Sequence, residues 1–304
     1  MSLPRPPLRS LDDALAALLG QARPLAGSES VSTFDADGRV LAEDLVSALQ
    51  VPPQDNSSMD GYAVRCAEIA DEEVVLPVSQ RIPAGSAGAP LAPGSVARIF
   101  TGAPVPAGAD AVVMQEDVEA DGERVRILRV PAPGQWIRRS GEDVTRGATV
   151  LAAGERLGPA ACGLAAGIGM DRLLVARRPR VALFSTGDEL VMPGQVPPAL
   201  MKPGAIYNSN RFFLRALLLR LGCEVTDLGI VPDRRDATVD ALRSAAQTHD
   251  LILTSGGVSV GEEDHIKPAV EQLGSLDLWQ IAMKPGKPLA YGGVGGAHFI
   301  GLPG

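Results

Sequence analysis

The second half of the chain alternates regularly between short apolar runs and amphipathic stretches. After Arg180, runs typical of strands occur at 181–185, 224–230, 251–254, 276–283, 289–291 and 298–300. Helical patterns lie between them, at about 208–221, 237–248 and 266–273. In the first of these, Asn208, Ser209 and Asn210 can cap a helix whose apolar stripe consists of Phe213, Leu214, Leu217, Leu218 and Leu221. Alternation of this kind favours a mostly parallel sheet with helices on both faces, which is a three-layer α/β domain.

Residues 46–143 follow a different pattern. They contain short β-rich runs, such as 96–101 and 111–115, that are interrupted by proline and glycine. Asp121-Gly122 lies within the run 118–130 and predicts a hairpin there. This stretch is therefore expected to fold as a separate, mostly β unit.

Two further helices are predicted outside these regions. An apolar stripe at helical spacing follows Ser10 and consists of Leu11, Ala14, Leu15, Leu18 and Leu19. Gly20 lies near the predicted end of this helix. A second helix, rich in small residues, is predicted to start near Pro159 and to end near Gly167, and it should pack closely against a neighbour.

The composition excludes several classes of protein. With 28 basic and 36 acidic residues the net charge is −8, whereas a general nucleic-acid binder is normally basic. The three cysteines, Cys66, Cys162 and Cys223, are far apart and support neither a disulfide framework nor a zinc ribbon. No run approaches the roughly 18 to 20 apolar residues needed to cross a bilayer, and the first residues lack the apolar core of a signal peptide. We therefore expect a cytoplasmic protein that binds neither nucleic acid nor membranes.

Polar, glycine-rich segments follow the predicted strands of the α/β region. They span residues 186–189, 231–233, 255–261, 284–287 and 301–304. Parallel strands joined by right-handed crossovers end at the same edge of a sheet, which is where open α/β sheets bind ligands. The five segments are therefore expected to converge on one crevice.

The residues of these segments favour an anionic ligand together with a cation. Glycine-rich turns present backbone N–H groups to anions, and Lys284 and Lys287 add positive charge. Three carboxylates, Glu189, Asp233 and Asp264, lie among these anion binders. Mg²⁺ typically bridges a few protein carboxylates to a phosphate, so the sequence predicts a phosphorylated ligand bound with Mg²⁺.

Each of these motifs also has a purely structural explanation. Residues 255–261 could form only a tight strand-to-helix turn, and the two lysines could be solvated surface charges. Asp188-Glu189 could complement the N-terminus of a helix, and Asp233 could cap one. The glycine-rich segment 292–296 superficially resembles a dinucleotide-binding loop, but strand-like residues follow it in place of a helix, so a hairpin turn is predicted there.

Eight motifs, taken in order, resemble one known family. They are DNSSMDGYAVR (55–65), RIFTGAPVPAGADAVVMQE (98–116), RRSGEDV (138–144), VALFSTGDEL (181–190), YNSNR (207–211), TSGGVSVGEEDHIK (254–267), AMKPGKPLAYG (282–292) and GLPG (301–304). Together they closely resemble the MoeA family of molybdopterin molybdenumtransferases, which is related to the E domain of gephyrin. The similarity runs over nearly the whole chain, and eight motifs in register make it highly specific.

This resemblance implies an enzyme of molybdenum cofactor synthesis. Its substrates would be adenylylated molybdopterin and molybdate, and its products AMP and the molybdenum-loaded pterin, with Mg²⁺ as the cofactor. Elongated homodimers are implied, and the molybdopterin adenylyltransferase of the same pathway is the expected partner. The implied domains are an α/β domain (1–25 with 176–304), a linking domain (26–45 with 144–175) and a β-rich domain (46–143).

The resemblance also implies site residues, position by position. The positions that match catalytic ones in the family are Asp60, Thr101, Asp143, Glu189, Asp233, Asp264 and Lys284. Of these, Glu189 and Asp264 are expected to hold Mg²⁺. The loops expected to hold the nucleotide and pterin ends supply Ser185, Thr186, Gly187, Asn208, Ser209, Asn210, Ser255, Gly256, Gly257, Ser259, Gly261, Pro285, Gly286, Lys287 and Pro303. In a dimer, Asp60, Thr101 and Asp143 would reach the α/β crevice of the partner subunit.

The sequence departs from the family pattern at two places. Gln280 stands where some members carry a lysine, so one cationic contribution to oxyanion binding is absent or supplied elsewhere. The family continues beyond GLPG with NPVS and a further β-rich domain, whereas this sequence ends at Gly304. Two interpretations stay open, a shortened form that lacks this domain and a longer protein whose tail lies beyond Gly304.

Two alternative functions stay open. A molybdopterin adenylyltransferase, which catalyses the preceding step, would resemble the α/β region alone, and residues 46–143 argue against it. A gephyrin-like scaffold protein, which anchors a receptor and transfers no molybdenum, is the other alternative.

Overall fold

The computed structural model describes residues 8–258, 265–279, 281–282 and 289–304, and the chain divides into two compact units. The α/β unit comprises Ala176–Gly304 together with the N-terminal segment up to Glu29. The β-rich unit comprises Ser30–Val175. The division into three domains that the family resemblance implies stays a prediction.

Five α-helices and twenty strands occur within the described ranges. The helices are α1 (Leu11–Gln21), α2 (Pro159–Gly167), α3 (Ser209–Arg220), α4 (Arg235–Ala246) and α5 (Ile266–Leu273). The strands are β1 (Ser28–Ser32), β2 (Leu45–Val46), β3 (Asn56–Ser57), β4 (Gly61–Val64), β5 (Val74–Ile82), β6 (Val96–Ile99), β7 (Ala111–Met114), β8 (Val118–Asp121), β9 (Arg124–Ile127), β10 (Ile137–Arg138), β11 (Thr149–Leu151), β12 (Arg172–Ala176), β13 (Arg180–Thr186), β14 (Leu190–Val191), β15 (Ile206–Tyr207), β16 (Glu224–Val231), β17 (Leu251–Ser255), β18 (Gly274–Trp279), β19 (Ala290–Val294) and β20 (Ala297–Leu302). None of the described helices, which reach at most 12 residues in α3 and α4, is long and apolar enough to span a bilayer.

The central sheet of the α/β unit has six strands in the order β16-β13-β17-β20-β19-β18. The first four strands pair in parallel, whereas β19 is antiparallel to both β20 and β18. The predicted mostly parallel α/β sheet is therefore confirmed, with an antiparallel edge. Because β18 and β20 both run opposite to β19, β18 has the same direction as the four parallel strands.

Helices cover both faces of this sheet, because successive strand residues point to opposite sides. Phe184 of β13 packs in one core cluster with Leu242 of α4 and Val270 of α5. Its neighbour Leu183 packs in another cluster with Leu214 of α3. This arrangement gives the three layers that the β/α alternation predicts.

Helix α1 lies on the same face of the sheet as α3. Its buried residue Ala14 packs with Ile281 and Tyr291, and Ile300 borders both this cluster and that of α3. The predicted apolar stripe is only partly covered, since three of its leucines are about half exposed or more: Leu11 at 53%, Leu15 at 51% and Leu19 at 64%.

Helix α3 begins at the predicted asparagine cap. The Asn208 side chain accepts a hydrogen bond from the backbone N–H of Arg211 at 3.2 Å, which satisfies one of the free N–H groups of the first turn. Of the predicted stripe, Leu214 and Leu218 are buried. The others are exposed, namely Phe213 at 66%, Leu217 at 42% and Leu221 at 57%.

The glycine-rich segment 292–296 forms the hairpin that the sequence predicts. Val294 of β19 pairs with Ala297 of β20, and Gly295 in the turn has a φ of +57°. Glycine suits this turn because residues with a side chain rarely adopt such a φ.

A second six-stranded sheet, in the order β7-β4-β6-β5-β9-β8, dominates the β-rich unit. Only the β5–β6 pairing is parallel. Separate core clusters form on its two faces, one around Val64 and Ile127 and the other around Ile82 and Ile99. The predicted hairpin at Asp121-Gly122 is confirmed, because it joins β8 to β9.

The predicted small-residue helix is also confirmed, as α2, and begins at Pro159. Its close packing occurs through Ala165, which is fully buried among Leu157 and Leu173. It does not occur at the helix glycines, since no neighbouring heavy atom lies within 4 Å of where a Cβ would sit on Gly163 or Gly167.

Candidate active site

Five strands of the α/β sheet end at one edge. The parallel strands β16, β13, β17 and β20 and the co-directional strand β18 place Val231, Thr186, Ser255, Leu302 and Trp279 there. The common edge that the sequence predicts is therefore present. Edges of this kind bind ligands in open α/β sheets because the loops that follow the strands meet there.

A cleft of about 250 Å³ opens at this edge. Its walls come from β13 and β17, from the small β14–β15 ladder and from the start of α3. The lining residues are Thr186, Glu189, Leu190, Ile206, Tyr207, Asn208, Ser209, Asn210, Ser255 and Gly304. Six of the predicted site residues thus meet in one cleft, namely Thr186, Glu189, Asn208, Ser209, Asn210 and Ser255.

Two consecutive glycines follow β17 and pack tightly against β13. Gly256 has a φ of +94°, and a Cβ there would collide with the carbonyl oxygen of Thr186. Gly257 has a φ of +66°, and a Cβ there would lie 2.6 Å from Thr186 Oγ1 and 2.7 Å from Ile266 Cγ1. Both the backbone conformation and the close approach require glycine, so the pair packs directly against Thr186, which lines the cleft.

A chain of hydrogen bonds connects α3 to the last residues of the α/β unit. Asn210 donates from Nδ2 to Ser255 Oγ at 3.0 Å, and Ser255 Oγ donates to the carbonyl oxygen of Pro303 at 3.4 Å. The backbone N–H of Gly256 donates to the carbonyl of Leu302 at 3.0 Å. These contacts tie the predicted residues Asn210, Ser255 and Pro303 into one local structure.

Several polar side-chain atoms at this edge are buried without a hydrogen-bond partner among the described residues. Two of these atoms, Thr186 Oγ1 and Asn208 Nδ2, belong to residues that line the cleft and are only 3% and 2% exposed. Ser185 Oγ and Thr254 Oγ1 lie beside it in the same strands but do not line it. An unpaired buried polar atom costs about 1–3 kcal/mol, so such atoms in a cleft point to a ligand that satisfies them.

Glu189 supplies the carboxylate of the cleft. Gly187, with a φ of +141°, leaves room for it, since a Cβ there would lie 2.5 Å from Glu189 Oε2. The backbone is fixed by the N–H of Leu190, which donates to Gly187, and by the Glu189 carbonyl, which accepts from Ile206 at 2.8 Å. The Glu189 side chain is exposed and pairs with none of the described cations.

Four residues that shape the cleft were missed by the sequence analysis: Leu190, Ile206, Tyr207 and Gly304. A neighbouring basin of about 620 Å³ shares Glu189 and Leu190 and is otherwise formed by residues 188–205. The hydroxyl of Tyr207 holds this segment by donating to the carbonyl of Val196 at 2.7 Å. The segment has no apolar periodicity, so the sequence offers no signal for its contacts.

The remaining predicted residues of this unit divide into two groups. Asp233 follows β16 at the same edge but does not line the cleft. Seven lie outside the described residues: Ser259, Gly261, Asp264, Lys284, Pro285, Gly286 and Lys287. Gln280 lies outside them as well.

In the β-rich unit, the structure joins two predicted residues directly. Thr101 donates to Asp60 Oδ1 from its backbone N–H at 2.8 Å and from its hydroxyl at 2.7 Å. These two bonds, the backbone one first, hold the pKa of Asp60 below its usual value of 3.8. Asp60 is therefore ionised and oriented by Thr101.

Asp143, the third predicted residue of this unit, has a different partner. Arg138 Nη2 donates to both of its carboxylate oxygens at 2.6 Å, and this bond raises the pKa of Arg138. The adjacent Arg139 contacts Asp55 at 2.6 Å. Asp143 is hydrogen-bonded to neither Asp60 nor Thr101, and its approach to the cleft of a partner subunit stays a prediction.

Comparison with known proteins identifies two family regions, which meet near the boundary between Ser30–Val175 and Ala176–Gly304. Residues 9–169 match the family model described as the MoeA N-terminal region (domain I and II), and residues 182–304 match a probable molybdopterin binding domain. The chain is 41% identical over 297 residues to the molybdopterin molybdenumtransferase of Haemophilus influenzae, which covers 97% of this chain and 72% of that protein. It is 38% identical over 310 residues to the Nostoc protein of the same name, covering 99% of this chain and 70% of the relative.

A similar result comes from solved structures. The crystal structure of the molybdopterin biosynthesis MoeA protein from Pyrococcus horikoshii shares 34% identity with the chain at a TM-score of 0.81, covering 98% of this chain and 75% of that one. Among sequence relatives, gephyrin from Dictyostelium discoideum is 33% identical over 305 residues, covering 92% of this chain and 42% of that protein. By the family models, by identity and by fold, the chain belongs to the MoeA family of molybdopterin molybdenumtransferases.

Proposed function

We propose that the chain inserts molybdenum into adenylylated molybdopterin, using molybdate and releasing AMP. Two relatives with 41% and 38% identity bear the name molybdopterin molybdenumtransferase, which supports this assignment. The observation that carries it is the cleft at the carboxyl edge of the sheet, where Thr186 Oγ1 and Asn208 Nδ2 are buried and have no hydrogen-bond partner among the described residues. A ligand rich in oxygen acceptors would satisfy both groups.

The remaining lining suits the shape of such a substrate. Leu190, Ile206 and Tyr207 supply apolar and aromatic surface on one wall, while the other wall presents hydroxyl and amide groups. Binding sites for small molecules combine largely apolar walls with a few oriented polar groups in this way. In the proposed complex, a planar ring system contacts the apolar wall and the phosphate faces the glycine turn.

Mg²⁺ fits this cleft as a cofactor shared with the substrate. Within the described ranges, no group of three or more His, Cys, Asp or Glu side chains could hold a metal ion by itself. Mg²⁺ is commonly held by one or two carboxylates together with substrate phosphates, a mode that needs no such group. We propose Glu189 as the described ligand and Asp264 as the second. When bound, the ion would neutralise charge on the phosphate that leaves with AMP.

The chain's own residues then orient the substrate and exclude water from it. Thr186 and Asn208 donate hydrogen bonds, and the glycine pair Gly256-Gly257 fixes the loop on which the phosphate rests. Donors oriented in advance toward developing charge contribute to rate because they need not reorganise during reaction. This account needs no serine or cysteine nucleophile.

The test measures AMP release from adenylylated molybdopterin at graded molybdate and Mg²⁺ concentrations. Glu189→Gln should raise the Mg²⁺ concentration needed for half-maximal rate, and loss of an oriented group of this kind typically lowers rates about 100- to 1,000-fold. Glu224→Gln is the matched control, because Glu224 is an exposed carboxylate at the opposite end of a strand in the same sheet. Unchanged AMP release and Mg²⁺ dependence in Glu189→Gln would refute the assigned role.

We further propose that the active species is a homodimer. In this proposal, Asp60, Thr101 and Asp143 of one subunit complete the cleft of the other. The exposed apolar side chains of α3, including Phe213 at 66%, offer surface of the kind that protein interfaces bury. We expect the dimer to work in the cytoplasm, where a molybdopterin adenylyltransferase would deliver the substrate. The three free cysteines of the chain are compatible with such a reducing compartment.

Mixed dimers test the shared site. Asp60→Ala and Glu189→Gln should each be inactive as homodimers, since both copies then lack one half of every site. Mixing the two variants should restore activity, because one site in each heterodimer would be intact. If the mixture stays inactive while sedimentation shows that heterodimers form, the two residues act within one subunit and the proposal is wrong.

A further inference from the structure

A pair of arginines lies on the sheet of the β-rich unit, next to the Asp60–Thr101 pair. Arg81 of β5 and Arg98 of β6 are directly opposite each other in the parallel ladder. Their guanidinium carbons lie 4.5 Å and 4.8 Å from the centre of the same aromatic ring, that of Phe100. Arg98 also lies 5.0 Å from the ring of Tyr62. Cation–π contacts of this kind hold the two guanidiniums in place.

Neither arginine of this pair has an ion-pair partner among the described residues. Among these residues, Arg98 donates to two neutral acceptors, the Gly61 carbonyl at 3.1 Å and Gln115 Oε1 at 2.7 Å. The pKa of Asp60, the nearby carboxylate, is lowered mainly by the hydrogen bonds from Thr101 and to a smaller extent by the charge of Arg98. This one carboxylate therefore offsets only part of the charge of the two guanidiniums.

This arrangement is unfavourable without a further counter-charge. Like charges directly opposite each other on neighbouring strands destabilise a sheet. A guanidinium has five N–H donors, and Arg98 uses two of them in the bonds to Gly61 and Gln115. The side chain of Arg81 is exposed and has no described hydrogen-bond partner. The pair therefore retains both positive charge and free donors, in a protein whose net charge is −8.

We propose that Arg81 and Arg98 form a binding site for a tetrahedral oxyanion, with Phe100 as its scaffold. Guanidinium groups are planar forks of donors whose geometry matches two oxygens of such an anion, and charge-assisted bonds of this type are stronger than neutral ones. Arg81 is exposed, and Arg98 and Phe100 are partly exposed, so an anion can reach the pair from solvent. Molybdate and a phosphate share this chemistry, and the site is defined without reference to the insertion reaction.

The experiment follows the Nε–H signals of the arginine side chains by NMR while the full chain is titrated with molybdate or, separately, with inorganic phosphate at constant ionic strength. We expect saturable shifts at Arg81 and Arg98 that are absent at Arg126. Arg81→Gln should weaken anion binding by about tenfold, the effect of losing one charge-assisted hydrogen bond. Arg126→Gln is the matched control, because Arg126 is an arginine on β9 of the same sheet, where it pairs with Glu119 at 3.8 Å.

Each outcome decides the proposal. Tighter binding of molybdate would identify the pair as a site for that substrate, and equal binding would identify a general phosphate site; both support it. Shifts that do not saturate, shifts of equal size at Arg126, or unchanged affinity in Arg81→Gln would overturn it. Arg98 lies over the ring of Tyr62, a core residue, so Arg98→Lys serves as the second variant. Lysine keeps the positive charge and a long side chain over this ring but lacks the planar set of guanidinium donors. Its affinity should fall while its thermal unfolding midpoint stays close to that of the unmodified protein.

Discussion

Replacing Gly257 by alanine should strongly destabilise the α/β unit, because the backbone conformation disfavours a side chain and the packing leaves no room for the new methyl group. Gly257 has a φ of +66°, a conformation that costs a residue with a Cβ about 1–2 kcal/mol. The added Cβ would also lie 2.6 Å from Thr186 Oγ1 and 2.7 Å from Ile266 Cγ1, both of which belong to packed elements. Overpacking of this kind costs about 1–3 kcal/mol, so the total loss is about 2–5 kcal/mol.

Gly295→Ala separates the two contributions. Gly295 lies in the same unit and has a similar φ of +57°, but its nearest neighbour would be Ala246 Cβ at 3.6 Å, an ordinary contact. This variant should therefore lose only the conformational part, about 1–2 kcal/mol. The difference between the two variants measures the collision of the added Cβ with Thr186 and Ile266.

The assay is urea unfolding followed by circular dichroism, with hydrogen exchange of β13 and β17 reporting on the α/β unit alone. Gly257→Ala should lose about 1–3 kcal/mol more than Gly295→Ala, and its β13 amides should exchange faster. Equal destabilisation of the two variants would show that the glycine turn does not pack against β13 as described.

Three further predictions concern paired groups. Hydrogen bonds from Arg177 at 2.6 Å, together with the backbone N–H of Arg180, lower the pKa of Asp250 below its usual 3.8. The ionised carboxylate therefore contributes its full stabilisation above pH 3.8 and loses it progressively as the pH falls below that value. Asp250→Asn should lower the free energy of unfolding by about 2 kcal/mol at pH 7 and by less at pH 3. Thr101→Ala removes the hydroxyl donor but keeps the backbone donor, so it should raise the pKa of Asp60 only part of the way back to 3.8. Thr101→Ser keeps both donors and should leave this pKa low. An NMR titration of the carboxyl group measures both effects. Asn208→Ala should destabilise by about 1 kcal/mol through the lost cap of α3, and Asn208→Ser should retain most of that stability in thermal unfolding.

Local patterns predicted the elements that local interactions determine. Helix α5 has the predicted bounds, Ile266–Leu273, and both hairpins lie where Asp121-Gly122 and the glycine-rich segment 292–296 indicated. Asn208 caps α3 because its side chain reaches a backbone N–H only three residues away. Such features can be predicted without knowing which distant residues they contact. The family was likewise recognised from the sequence alone, by eight motifs in order along the chain.

Other features depend on distant residues and could not be predicted in this way. The apolar stripes of α1 and α3 indicated which side of each helix is apolar, but not that Leu19 and Phe213 would be left uncovered at 64% and 66% exposure. The tight fit of Gly257 depends on Thr186, which is far away in sequence. The cleft residues Ile206 and Tyr207 become visible only once β15 pairs with β14.

The affinity of the protein for AMP tests most directly whether the cleft is the nucleotide site. Thr186→Val removes a buried hydroxyl that has no described partner, so the fold should be as stable as before or slightly more stable. AMP should bind about tenfold more weakly, because a donor to the ligand is lost. Thr254→Val is the matched control, since the Thr254 hydroxyl is also buried without a described partner but its residue does not line the cleft. Titration calorimetry should show the loss in Thr186→Val alone; equal AMP affinity in both variants and the unmodified protein would contradict the account.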